Sequence, residues 1–194
     1  MNIALRDFIF RGLLFESESN VFRKARINVG ADITQSEAHL LADSLDLFSI
    51  ERRNDALEMA RLYAVLHAFE NTVRSMIRSA LEEVKGPRWW DTDAVPEKMR
   101  TNVKKREDNI RKNSWIEVRK GDSLEFTTLG DLANIIMKNW EIFETYIPSQ
   151  VWIKQRMEEL EQARNLIAHN RVLQPEEIKR MYMYILDWNK QIGL

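Results

Sequence analysis

The sequence predicts an all-α protein, and three observations support this fold class. Only 6 Gly and 4 Pro occur among the 194 residues, so few positions interrupt regular structure. The long segments between them repeat apolar residues at helical spacing, whereas the alternation typical of strands is weak throughout. Hydrophobic residues make up 44% of the chain and charged residues 30%, as in globular domains rather than disordered chains.

We divide the chain at the polar run ERRND, residues 51–55, which we interpret as a hinge. Before it, Thr34 and Glu37 form a capping-box pattern that opens a short helix. This division predicts an N-terminal helical extension at 1–54 and a main domain at 55–194.

The main domain is expected to hold four long helices. A second capping signature, Thr128 with Asp131, opens one of them, and Ser149 caps the next. Pro175 begins the last, because proline suits the first helical position. A stretch rich in lysine and arginine, helical or looped, lies between the first two. Short connections make these helices an antiparallel bundle. The predicted ranges are about 56–84, 128–147, 150–170 and 175–192.

Composition and motif searches exclude several classes of function. The chain has 29 Lys plus Arg against 30 Asp plus Glu, so any attraction to nucleic acid must be local. It has no cysteine, which excludes disulfides, thiolate metal sites and cysteine nucleophiles. No zinc-protease, calcium-loop, phosphate-loop or dinucleotide motif occurs, so we expect no metal and no cofactor. No apolar stretch approaches the roughly 18 residues of a membrane helix, so we expect no membrane partner and, by default, a cytoplasmic location.

Arg164 is a permanent charge in the middle of an apolar stripe. At 100° per residue it falls among Leu160, Ile167 and the earlier apolar positions of the helix predicted at 150–170. Burying a guanidinium costs several kcal/mol unless partners satisfy it. Arg164 is therefore either part of a structural ion pair or directed at a functional cleft.

His169 follows five residues later, about 140° further round the helix and near its carboxyl end. That end attracts positive charge, which suits a histidine that donates a proton. Asn165, one turn earlier, can orient the ring through a hydrogen bond or bond a backbone carbonyl instead. The alternative is that His169 is an ordinary capping or surface residue.

Polar residues also follow the edge of the apolar stripe on the first long helix, at Tyr63, His67, Glu70 and Arg74. Glu70 is the candidate partner of Arg164 across the bundle, and His67 or Arg74 is a candidate to face a substrate. An ordinary solvated helix face remains the alternative for each of them.

A basic cluster lies between residues 98 and 120, with nine lysines and arginines against three acidic residues. Such a surface suits the backbone of single-stranded RNA, and Trp89, Trp90 and Trp115 suit base stacking. The alternatives are a solvated helix and tryptophans that fill the core. We favour RNA binding for the basic residues and burial in the core for the tryptophans. The candidate RNA-binding residues here are Lys104, Lys105, Arg106, Arg111 and Lys112.

The pattern R-N-x-x-x-H at 164–169 resembles the signature of the HEPN superfamily. The stretches LHAFENTVRSMI, WW followed by AVP, LGDLANIIMKNWEIF, RNLIAHNRVL, LDW and QIG extend the resemblance over about 57–193. They resemble a branch found at the C-terminus of a nuclear mRNA-surveillance endonuclease and in free-standing prokaryotic defence proteins.

The resemblance implies a HEPN-type four-helix bundle that forms a homodimer and cuts RNA at a composite site without metal. It implies catalytic roles for Arg164, Asn165 and His169, and a toxin or defence effector restrained by an antitoxin or neighbouring regulator. Toxin-type relatives carry a modified tyrosine where this chain has Arg171, so we set that control aside and expect Arg171 to contact RNA. A non-catalytic RNA-binding or dimerisation module is the alternative. The supporting residues are His67, Glu70, Arg74 and Asn170.

Overall fold

The computed structural model describes residues 47–112, 122–147 and 149–192, together with Leu45. These residues form six α-helices and two short 3₁₀ helices, and no strand occurs among them. The predicted all-α fold is confirmed. The candidate cap at Thr34 and Glu37 lies outside the described residues, as does Trp115. The helices are α1 (Ile50–Lys85), α2 (Glu97–Arg111), α3 (Leu129–Lys138), α4 (Trp140–Phe143), α5 (Gln150–Ala168) and α6 (Pro175–Ile192), with 3₁₀ turns at Trp89–Asp91 and Ser123–Phe126.

Helix α1 begins earlier than the sequence suggested. Residues 51–55, expected as a hinge, form its first turns, so that interpretation is wrong. Glutamate and arginine are good helix formers, and Glu51 suits the positive end of the helix dipole. The helix stops at Gly86, whose φ of 79° lies in the left-handed region that glycine adopts most readily. The division at 54/55 stays a prediction.

The single helix predicted at 128–147 is two helices, because Asn139 interrupts it. The capping box at its start is present, with Asp131 N–H donating to Thr128 Oγ1 at 3.2 Å. Buried Asn139 has φ −113° and ψ 38°, outside the helical region. Its Nδ2 donates to the carbonyls of Ala94 at 3.0 Å and Ile135 at 2.8 Å. The apolar period continues across this position, so the break follows from side-chain competition for backbone carbonyls, which periodicity does not reveal.

Helices α5 and α6 begin where the sequence predicts. Ser149 accepts the N–H of Trp152 at 3.0 Å as the cap of α5, and Pro175 opens α6. Trp188 of α6 joins the helices, because it meets Phe69 of α1 edge-on at 5.5 Å and stacks on Trp152 of α5 at 6.3 Å. Fully buried core residues include Leu62, Leu66, Ile77, Leu132, Ile136, Phe143 and Ile153.

Trp89 is buried in the core, as favoured from the sequence, and the edge of Trp90 packs against it with ring centroids 5.6 Å apart. In the part of the chain that the structure describes, no helix combines the length and the apolar character needed to cross a bilayer.

Candidate active site

The RNLIAHN segment forms the last turn of α5 and the turn that ends it. The helix stops at Ala168, two residues before the predicted end, with His169 as its cap. Asn170 has a φ of 59°, its N–H donates to the carbonyl of Ile167 at 2.9 Å, and Arg171 N–H donates to that of Leu166 at 3.0 Å. This is a Schellman motif, and asparagine tolerates the left-handed position better than other non-glycine residues. The left-handed position of the Schellman motif therefore accounts for an asparagine at residue 170.

Arg164 is half-buried rather than fully within the core. Its side chain is 28% exposed. The apolar pattern of the helix therefore predicted a more buried position than the structure shows. Its Nε lies 3.8 Å from Oε2 of Glu70, and its Nη1 donates to Oδ1 of Asn165 at 3.0 Å. The expected ion pair across the bundle is present. Among the described residues, Nη2 of Arg164 has no partner, so this edge of the guanidinium remains available to a ligand.

Glu70 is a buried carboxylate shared by two arginines. Its side chain is 9% exposed, with Oε1 accepting from Nη2 of Arg74 and Oε2 facing Arg164. Two positive charges around one anion satisfy the carboxylate and hold both guanidiniums in place. The ion pair thus fixes Arg164 of α5 relative to α1.

Arg74 does not face a substrate, contrary to one interpretation of the sequence. Its side chain is 12% exposed. Its Nε donates to the carbonyl of Leu124 at 2.9 Å and its Nη2 to that of Thr127 at 3.0 Å. Nη1 donates to Oδ1 of Asn71 at 3.1 Å. Arg74 therefore ties α1 to the segment that precedes α3 and anchors Glu70 at the same time.

Asn71 is a further member of this network that was not predicted from the sequence. Its Nδ2 lies 3.2 Å from Nε2 of exposed His67 and donates to the carbonyl of His67 at 2.8 Å. Its position four residues after His67 and three before Arg74 was the available signal, because such spacings place side chains together on a helix.

His169 presents its imidazole to solvent. Its backbone N–H donates to the carbonyl of Asn165 at 3.0 Å. Of the two roles considered for the Asn165 side chain, the hydrogen bond to the His169 ring is not formed. Asn165 instead accepts from Arg164. The imidazole has no hydrogen-bond partner within the described parts of the chain. A cleft of about 300 Å³ opens nearby between α5 and α6, with Leu166, Leu173 and Glu177 in its lining.

A family model matches most of this chain. The model of the SAV2148-like HEPN domain matches residues 24–181, which is more than half of the chain and includes the whole RNLIAHN segment. The chain belongs to the HEPN superfamily. No curated protein and no solved structure matches it.

The candidate RNA-binding residues on α2 differ in their contacts with the rest of the fold. Lys104 and Lys105 are exposed on α2. Arg106 instead serves the fold, because its Nη1 donates to the carbonyl of Phe126 at 3.0 Å and pairs with Asp131 at the start of α3. The Arg106 side chain is nevertheless 39% exposed, so its role in RNA binding stays a prediction.

The other candidate RNA contacts are exposed. Arg111 pairs with Glu107, its Nε donating at 3.0 Å, and Lys112 Nζ donates to Asn109 Oδ1 at 3.3 Å. Both contacts are local and at the surface, so both cations stay accessible, and Arg171 is exposed beside His169. Arg119 and Lys120 lie outside the described residues. Across the described ranges, no three His, Asp or Glu side chains cluster closely enough to hold a metal ion.

Proposed function

We propose that this HEPN domain is a metal-independent endoribonuclease that cleaves single-stranded RNA. One observation carries the proposal. Glu70 and Asn165 hold the half-buried guanidinium of Arg164 with one edge free, at the same helix end as the exposed imidazole of His169. A fixed cation for a phosphate and an accessible proton carrier are the two groups that RNA cleavage by the 2′-hydroxyl requires.

Two chains are needed to complete the site in this proposal. Five helical residues separate Arg164 from His169 by about 140° and roughly 7.5 Å along the axis, so they point in different directions. One chain offers a single RNLIAHN histidine, whereas a two-fold dimer offers two of each group. Leu166 and Val172, 36% and 43% exposed beside the segment, supply apolar surface for such a contact.

The chemistry follows from these groups. A neutral imidazole takes the proton of a ribose 2′-OH while the 2′-oxygen forms a bond to the adjacent phosphorus. The bond from phosphorus to the 5′-oxygen breaks, and that oxygen takes a proton from the second histidine or from water. Nη2 of Arg164, the guanidinium nitrogen without a partner among the described residues, stabilises the negative charge on the phosphorane. The products are a 2′,3′-cyclic phosphate and a 5′-hydroxyl, and DNA is a poor substrate because it lacks the 2′-OH.

The test is the cleavage rate of a single-stranded RNA in excess EDTA. We expect activity in the wild type and a loss of about 100-fold or more in His169→Ala, the usual effect of removing an acid–base group. Gln155→Ala is the matched control, since Gln155 is exposed on the same helix. Loss of wild-type activity in EDTA, or equal rates for wild type and His169→Ala, contradicts the proposal.

A second candidate is a HEPN module that binds RNA without cleaving it. Exposed Lys104 and Lys105 favour this reading, because a backbone-binding surface does not require His169. RNA binding without cleavage, unchanged in His169→Ala, supports it. In either case we propose a cytoplasmic protein of a defence or toxin system, restrained by an antitoxin or another neighbouring regulator.

A further inference from the structure

The outer face of α6 carries a pattern that the proposed active site does not use. The buried side of this helix packs Met181, Ile185 and Trp188 into the core. The opposite side has its own 3-4-3-4 spacing, which is the repeat by which two helices pack together. Two large apolar residues occupy its centre, with Met183 49% and Leu186 65% exposed. The exposed residues at this spacing are Glu176, Lys179, Met183, Leu186 and Lys190.

The charges on this face are complementary to those of a second, antiparallel copy of the same face. From the amino end, an acid (Glu176) is followed by two bases (Lys179 and Arg180), and beyond the apolar centre an acid (Asp187) by a base (Lys190). In an antiparallel copy, Lys190 lies opposite Glu176. Asp187 lies opposite Lys179 and Arg180. A parallel copy sets like charges against each other, which is unfavourable.

We propose that a second copy of this chain docks antiparallel on the outer face of α6, with Met183 near the two-fold axis. The contact is isologous, so each residue and its counterpart appear twice. Tyr182, 39% exposed beside Met183, widens the apolar centre. This centre is small compared with the roughly 800 Å² per partner of a standard interface. The association is therefore weak, concentration-dependent and sensitive to salt.

This contact differs from the pairing proposed for catalysis. Eight residues separate Pro175 from Met183, so an antiparallel pair places the two Pro175 ends about 24 Å apart along the helix axis. His169 precedes Pro175, and the two RNLIAHN segments do not meet across this face. A contact through α6 would join catalytic pairs into larger assemblies, which goes beyond the proposed ribonuclease. Its test is independent of RNA cleavage, because neither result depends on the other.

The absence of cysteine from the chain allows a site-specific test. Met183→Cys is treated with a short bis-maleimide at micromolar protein concentration, and Ser79→Cys, exposed on α1, is the control. We expect covalent dimers from Met183→Cys in clear excess over the control. Equal yields from the two variants overturn the proposal. A Met183→Cys thiol that resists monofunctional maleimide also overturns it, because another part of the chain then covers the face.

Charge reversal tests the antiparallel register. In the Met183→Cys background, Asp187→Lys places like charges together at both ends of the pair, and we expect about tenfold weaker association from two such contacts. Adding Lys179→Glu and Arg180→Glu restores opposite charges and the cross-linking yield. Cross-linking that ignores the reversal, or that the compensating changes do not restore, contradicts this register. Circular dichroism confirms that these exposed substitutions leave the helices intact.

Discussion

Arg164 Nε lies 3.8 Å from the buried Oε2 of Glu70, and this contact fixes the candidate phosphate-binding group of α5 against α1. Because Arg74 engages the other carboxylate oxygen and also bonds two backbone carbonyls, the ion pair is connected to the segment before α3. The position of the guanidinium therefore depends on the folding of three separate parts of the domain.

Glu70→Gln is expected to lower the free energy of unfolding by about 3 kcal/mol, because it leaves two poorly solvated guanidiniums without their anion. Urea denaturation measures the change. Glu158→Gln is the control, since Glu158 is exposed and lies 4.0 Å from Lys154, and its expected effect is below about 0.5 kcal/mol. Equal stability of Glu70→Gln and wild type would show that Glu70 is not needed to hold the arginines.

Asn170 is expected to matter through its backbone. Asn170→Ala places a side chain with no compensating hydrogen bond at φ 59° and is expected to cost about 1 kcal/mol. Asn170→Gly, which has no β-carbon, is expected to be at least as stable as the wild type. Thermal denaturation distinguishes these outcomes, and a glycine variant less stable than the alanine variant contradicts the assigned conformation.

The sequence predicted what helical periodicity and residue chemistry determine locally. It placed the starts of α5 and α6 at Ser149 and Pro175. It also matched Glu70 with Arg164, because Arg164 falls within one apolar stripe and Glu70 follows the edge of another. The positions of Arg74 and Arg106 could not be predicted, since their acceptors are backbone carbonyls of residues 124–127, brought close only by folding.

Burial raises the pKa of the Tyr184 phenol above its ordinary value of 10.0, and the hydrogen bond and charge of Glu159 act in the same direction. The folded protein thus holds this proton more tightly than the unfolded chain does. The resulting stability is complete below about pH 10 and is lost as the pH rises through the raised pKa. We expect wild type to lose more stability above pH 10 than Tyr184→Phe, measured by urea denaturation across that range. Parallel curves for the two proteins would contradict this.

Lys104 and Lys105 are expected to bind RNA through the phosphate backbone. Replacing both with glutamine should reduce the slope of log affinity against log salt by about 1.4, the value for two contacts to a single strand. Fluorescence anisotropy in EDTA, in a His169→Ala background, measures binding without cleavage. Lys138→Gln, an exposed lysine on α3, is the matched control. An unchanged slope in the double variant would show that these two lysines do not contact the RNA backbone.

We propose that the RNLIAHN segment cleaves RNA through the 2′-hydroxyl. Mass spectrometry of the RNA ends formed in EDTA tests it most directly, with wild type and His169→Ala run in parallel. We expect 2′,3′-cyclic phosphate and 5′-hydroxyl ends from the wild type, formed about 100-fold more slowly or not at all by His169→Ala. Intact RNA with the wild type, 5′-phosphate ends, or the same products at the same rate from both proteins would contradict it.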